Sequence, residues 1–185
     1  MDDLRKQFED YLDEAHRLKA KYASEITLLV GMETDFITNA DLDHLDALLE
    51  RVGPRAEYLV GSVHHVYEIP IDIDLATFHK ALRTEESLTE QDAQEKFLTT
   101  YFDAQHHLLQ RFHPEIIGHF DLCRLYNPTL LFSDYSSAYE KMERNVKYAI
   151  EYGALFEINA AAFRKNWETA YPGPDVIEVY HRSNF

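Results

Sequence analysis

Short apolar runs alternate with amphipathic helical stretches along the whole chain, and this alternation limits the folding options more than any other feature. The opening segment sets Leu4, Phe8, Tyr11, Leu12, Ala15 and Leu18 at helical spacing with charges between them. Next comes Ile26-Thr27-Leu28-Leu29-Val30, a nearly continuous run closed by Gly31, which predicts a strand buried on both faces. Leu42, Leu45, Leu48 and Leu49 mark a second helix, stopped by Gly53-Pro54, and Tyr58 to Val63 reads as a second buried strand. From Ile69 to Asp74, apolar and acidic residues alternate, as in an exposed excursion or short edge strand. A long helix follows with the face Ala93, Phe97, Tyr101, Ala104, Leu108 and Phe112, and Thr89 and Asp92 form an imperfect capping box at its start. Glu115 to Gly118 is the third strand. Tyr139, Met142, Val146, Ala149 and Ile150 form another helix face ending at Gly153, and Leu155 to Ile158 is the fourth strand. A helix around Phe163 and Trp167 and a short one after Pro174 complete the series.

Strict alternation argues an α/β fold with parallel strands alternating with helices through right-handed crossovers. Four strands suit either an open twisted sheet or an arc of a barrel, and in both the ligands gather at the carboxyl ends of the strands. At 185 residues, 45% of them hydrophobic, residues 1–185 make a single domain with one core.

Charge narrows the partners. Eighteen basic against 33 acidic residues give −15, which repels phosphate backbones and anionic lipid, so neither nucleic acid nor membrane is an expected partner. Any phosphate handled by this chain must meet a few placed Arg or Lys side chains or a bound metal. A lone cysteine, Cys123, excludes an intramolecular disulfide and a Cys-based zinc site, and reads as a small buried hydrophobe in a reducing compartment. The opening MDDLRKQFEDYLDEAHRLKAKY has no signal-peptide or transit pattern, and no apolar run approaches the ~20 residues of a membrane span, so a cytoplasmic location is expected. Ten histidines make imidazole and carboxylate the plentiful ligand chemistry.

Placed on this map, the polar residues cluster. Glu33 lies just past the first predicted strand, His64 and His65 end the second, His119 ends the third and Asn159 ends the fourth. Neighbouring strands lie about 5 Å apart, so a carboxylate and two or three imidazoles meet at one mouth, a ligand set suited to zinc, manganese or iron. A lone histidine at a strand end is ordinarily a hydrogen-bonded surface or core residue; three strands in register carry the case. His16, His44, His79, His106, His107, His113 and His181 lie on helices or in loops with polar neighbours and read as solvated, as do Glu85, Glu86, Glu90, Asp92 and Glu95. With no Gly-x-Ser-x-Gly elbow and no Gly-rich phosphate loop, metal-assisted hydrolysis is the chemistry with a physical argument.

LLVGMETDFI, YLVGSVHHVYEIPIDID, EIIGHFDL and FEINAAAFRKNWETAYP, in that order, resemble the middle and later part of histidinol-phosphatases of the polymerase-and-histidinol-phosphatase (PHP) type. The resemblance runs from the first helix to about Pro172. It implies a distorted (β/α)7 barrel with two or three metal ions at the carboxyl ends of its strands, hydrolysing L-histidinol phosphate to L-histidinol and phosphate in histidine biosynthesis. By motif, Glu33 matches the carboxylate of Gly-x-Glu, a bridging ligand; His64 matches the ligand in Gly-Ser-Val-His, and His119 the ligand in Gly-His. His65, Asp35, Asp121, Arg124 and Asn159 stand near the site by position, as candidates to bind substrate or support the ligands, and Arg124 reads equally as a surface arginine. The family's His-x-His pair on its first strand, its ligand His after the second and its final Asp-x-His pair do not occur in this chain. The expected fold is therefore an incomplete (β/α)7-type PHP barrel that lacks two early strands and the last. Three explanations stand: an excerpt of a normal enzyme, a subunit completed by self-association through open sheet edges, or a catalytically inactive remnant that serves as an interaction protein. Another phosphoester hydrolase on the same scaffold is the alternative enzyme.

Overall fold

The computed structural model describes residues 2–84 and 88–183, with side chains from residue 5 onward; Glu85, Glu86 and the side chain of Leu4 lie outside the described residues. Helix α1 (Asp2–Lys21) leads into β1 (Gly31–Asp35), α2 (Asn39–Val52) and β2 (Tyr58–Ser62). A short ribbon of β3 (His65–Val66) and β4 (Ile69–Pro70) precedes α3 (Leu75–Leu82) and α4 (Glu90–Phe112). The chain continues through β5 (Ile116–Ile117), α5 (Ser136–Tyr152), β6 (Leu155–Phe156), α6 (Ala161–Arg164) and α7 (Pro174–Ser183). Strands β1, β2, β5 and β6 lie side by side in that order, all parallel, in one open sheet. This is the arc of a (β/α) barrel, unclosed among the described residues. No helix among them is long and apolar enough to cross a membrane.

The first strand lies five residues later than the apolar run predicts. Ile26 and Leu29 are 55% and 64% exposed, and pairing starts at Gly31 opposite Tyr58 and ends at Asp35 opposite Ser62. The partner decides this: the ladder can form only where β2 runs alongside, and Val30 is its threshold, its C=O accepting from Glu57 N and its N–H donating to the Glu57 carboxylate. Glu33 therefore sits inside the strand, in register with Val60, rather than beyond its end. Helix α3 is a second departure, since the alternation up to Asp74 masked the helix that starts there. The carboxylate of Asp74 caps it by accepting from Thr77 N at 2.7 Å, and Phe78 and Ala81 are buried. The ribbon does occupy the predicted excursion, but Ile71 at its end is fully buried.

Helix α4 is the spine. Phe97, Tyr101, Ala104 and Leu108 are buried as the periodicity requires, joined by Leu98, Phe102 and Leu109. Its Thr89 hydroxyl accepts from Asp92 N, while the Asp92 carboxylate takes the Thr89 hydroxyl rather than the backbone N–H, the sense in which the box is imperfect. Helix α5 lies along α4 through Met142, Val146 and Ala149, and the buried Asn145 amide donates to Phe102 O and Gln105 Oε1. A smaller cluster of Leu12, Val30 and Val52 seats α1 beside β1. Two histidines read as solvated are partly buried: His16 bonds Arg55 O, and His106 keeps Nδ1 buried without a partner.

Gly118 shows how tightly β5 meets β2. A Cβ there would lie 2.6 Å from Ser62 Oγ and 3.1 Å from Val60 Cγ1. Gly118→Ala is expected to cost about 1–3 kcal/mol through overpacking, read as a lower denaturant midpoint with unchanged slope.

Candidate metal centre

The site forms where the sheet's carboxyl ends splay. Glu33 projects from β1, His64 follows β2 by two residues, and His119 follows β5 by two. One ligand atom from each lies within 4.8 Å of the others. The Nε2 atoms of His64 and His119 are 3.0 Å apart, with their rings in an edge-on arrangement at 4.7 Å between centroids. A Glu33 oxygen stands 3.7 Å from His64 Nε2 and 3.5 Å from His119 Nε2. Glu33 is half exposed, whereas the histidines are largely covered, so the opening faces solvent through the carboxylate.

Two imidazole nitrogens and a carboxylate oxygen aimed at one point are the donors a first-row divalent ion takes. The residues present fit such an ion on chemistry and on convergence. His119 is held with φ at +23°, a left-handed conformation that costs a non-glycine residue on the order of 1–3 kcal/mol, so the surroundings impose its direction.

Beside the ligands, Asp35 does three things. One oxygen accepts from His64 N at 2.9 Å, the other holds His65 Nδ1 at 2.7 Å, and that second oxygen lies 3.5 Å from His64 Nδ1. On the other flank the Glu157 carboxylate accepts from His119 N at 2.9 Å and from Asn159 Nδ2 at 3.0 Å, and Asn159 Oδ1 accepts from Ala161 N. Glu157 escaped the sequence reading, although the position that directs attention to His64 and His119, just past an apolar run, is its position too. Asp121 and Arg124 form a separate buried unit. The Arg124 guanidinium donates to Asp121, Asp175 and Leu130 O, and its side chain is 4% exposed.

The electrostatics follow from these contacts. The His119 ring beside Glu33, opposed by partial burial and aided by the charges of His119 and His64, holds the Glu33 carboxyl at about 2. Burial works against a charged His64, yet the carboxylates of Asp35, Asp72 and Glu33 together outweigh it and raise the imidazole above its ordinary value. A carboxyl whose folded-state value is depressed stabilises the fold above its ordinary value near 4.5 and loses that contribution as pH falls toward about 2. Metal-free Glu33→Gln protein is accordingly expected to show a shallower loss of stability than wild type across that acid window, measured as urea midpoints in a pH series.

A family model described as PHP domain matches residues 3–161. A protein of Schizosaccharomyces pombe named probable histidinol-phosphatase is 42% identical over 181 residues, covering 96% of this chain and 57% of its own. The histidinol-phosphatase of Saccharomyces cerevisiae is 28% identical over 202 residues, covering 95% of this chain and 59% of its own. The chain thus spans less than two thirds of the length of these relatives.

Proposed function

The chain belongs to the PHP domain family, and on that premise we propose that it works as a metal-dependent phosphomonoesterase of histidinol-phosphatase type, hydrolysing L-histidinol phosphate to L-histidinol and phosphate. The observation that carries this reading is the convergence of Glu33, His64 and His119. The names of the two relatives favour it over a catalytically silent remnant. Residues 1–185 are then a single partial PHP domain.

Glu33, His64 and His119 are the ligands in this reading, for zinc, manganese or iron. Such an ion supplies Lewis-acid polarisation of the phosphoryl group and a water nucleophile of lowered pKa, on a chain whose net charge of −15 otherwise repels a phosphate monoester. The chain's own part is to keep the donors ready. Glu33 brings the anionic donor to the mouth, and its hydrogen bonding with His119 keeps it ionised further into acid than an ordinary carboxyl. His64 and His119 present Nε2 to the same point, where neutral imidazole is the ligand form, so metal affinity rises as pH climbs through the elevated His64 value. Among the substrate candidates, the His65–Asp35 pair stands next to His64, and Asn159 stands behind Glu157. Asp121 and Arg124 are committed to a buried ion pair, so Arg124 is neither a surface arginine nor a guanidinium free to hold phosphate.

The test is phosphate release by the purified protein, stripped with chelator and reloaded with Mn²⁺ or Zn²⁺, on L-histidinol phosphate and a panel of other phosphomonoesters. Release only after reloading, fastest on L-histidinol phosphate, is the expected result. A stronger preference for another ester moves the protein to a different phosphoesterase activity, and no release from any ester by the loaded protein overturns the enzyme reading.

A further inference from the structure

Resting on the metal-centre reading above, we propose that Asp35 and Glu157 are a matched pair of positioning residues, each fixing the backbone of one ligand histidine from the neighbouring strand. The topology makes them counterparts. In the order β1-β2-β5-β6, the ligand histidines leave the two inner strands, and the carboxylates come from the two outer ones, Asp35 at the end of β1 and Glu157 directly after β6.

The main-chain ladder shows why they are needed. Between β6 and β5 it closes with Glu157 N donating to Ile117 O at 3.0 Å, and the N–H of His119, two residues further along that strand, passes to the Glu157 side chain. Between β1 and β2 the ladder stretches to 3.4 Å at Phe36 N to Ser62 O, and the N–H of His64 passes to the Asp35 side chain. At both seams the next N–H along the histidine's strand goes to a side-chain carboxylate of the neighbouring strand instead of a main-chain carbonyl. Each N–H···O contact is 2.9 Å, the usual length of a backbone N–H···O bond, so the side-chain oxygen takes the place of the missing carbonyl. Glu157 has the harder task, because it holds the left-handed turn at His119, and Asn159 braces it on the same oxygen. Asp35 adds an approach to the ring of His64 on the Nδ1 side, opposite the Nε2 that faces Glu33 and His119.

Two readouts test the pair. The first is amide hydrogen exchange at His64 and His119 in metal-free protein, which needs no metal; the second is titration with Co²⁺ followed by its visible absorption. Glu157→Ala is expected to speed exchange at His119 but not at His64, and Asp35→Ala to do the reverse. Each is expected to weaken Co²⁺ binding by about 10- to 100-fold, the usual cost of losing a group that orients a ligand. Glu157→Gln and Asp35→Asn keep a side-chain carbonyl as acceptor and are expected to retain both properties near wild type; they also stand in where an alanine variant fails to fold. Unchanged exchange in the alanine variants overturns the proposal. So does equal weakening of Co²⁺ binding by the alanine and amide variants, since that assigns the effect to charge. A wild-type chain that binds no Co²⁺ overturns the metal reading instead, and the exchange data still decide whether the two carboxylates anchor the histidines.

Discussion

Glu33→Ala protein is expected to lose more than about 100-fold in affinity for Mn²⁺ or Zn²⁺, roughly 2.7 kcal/mol, and most of its phosphate release from L-histidinol phosphate with it. The size follows from the donor set. With one carboxylate and two imidazoles converging, removing the carboxylate takes away the anionic donor and leaves only two histidine nitrogens, 3.0 Å apart, to hold the ion. His64→Ala is expected to act as strongly, since it removes a donor and also frees the second oxygen of Asp35 to serve His65 alone. The fold should tolerate the first change, because the Glu33 side chain is 52% exposed and sits on the open face of β1. Calorimetric metal titration, with circular dichroism to establish folding, separates the effects. Near-normal turnover and metal content in both variants would sink the assignment of these ligands.

The largest loss of stability is expected at Arg124. Its guanidinium is shared between Asp121, which is fully buried, and Asp175 on α7, and it also reaches Leu130 O and lies over the Phe132 ring. Burial pushes the Asp121 carboxyl up and the arginine pulls it back, so the two charges are tolerable only together. Arg124→Ala leaves Asp121 with Gly173 N–H and no cation, and breaking a buried pair in this way costs about 3–5 kcal/mol. For a chain of this length each kcal/mol corresponds to roughly 2–4 °C, so the thermal midpoint should fall by about 6–20 °C. A midpoint within a few degrees of wild type would show that water or protonation of Asp121 makes up for the lost guanidinium. Replacing Arg124, Asp121 and Asp175 together with apolar residues of similar volume should be milder than Arg124→Ala, because it leaves no orphaned charge.

The difference between these sites matches what a linear reading can see. His64 and His119 were legible because each follows an apolar run by a fixed step, and a parallel sheet turns equal steps into spatial neighbours. Helices α4 and α5 were legible through period, with Phe97, Tyr101, Met142 and Val146 all buried where spacing put them. The placement of β1 was not, because hydropathy marks Ile26 to Val30 while strand pairing depends on where Tyr58 to Ser62 runs, 27 residues along from each partner in β1. Helix α3 was lost to a local ambiguity: Ile71 and Ile73 alternate with aspartates as in a strand, yet one is buried and the other exposed at the approach to a capped helix. The Arg124 cluster needs Asp175, 51 residues along, before its three-residue spacing from Asp121 means anything. Glu157 was visible in position but not in type, since a carboxylate after a strand announces a ligand, a substrate contact or, as here, an acceptor for a neighbour's backbone.

Trp167, the single tryptophan of the chain, is buried with its indole N–H on Leu125 O, its ring 4.7 Å from Tyr171 and 5.8 Å from the Arg124 guanidinium. Its emission is therefore a built-in reporter for the half of the molecule that carries α6, α7 and the arginine cluster, and it is silent about α1 and the β1 edge. Helix α1 rests on a small separate cluster of Leu12, Val30 and Val52, so its circular dichroism signal can fade before the fluorescence does. Following both signals through one denaturant series would show, from coincident or staggered curves, whether the two halves melt as one cooperative unit or as two.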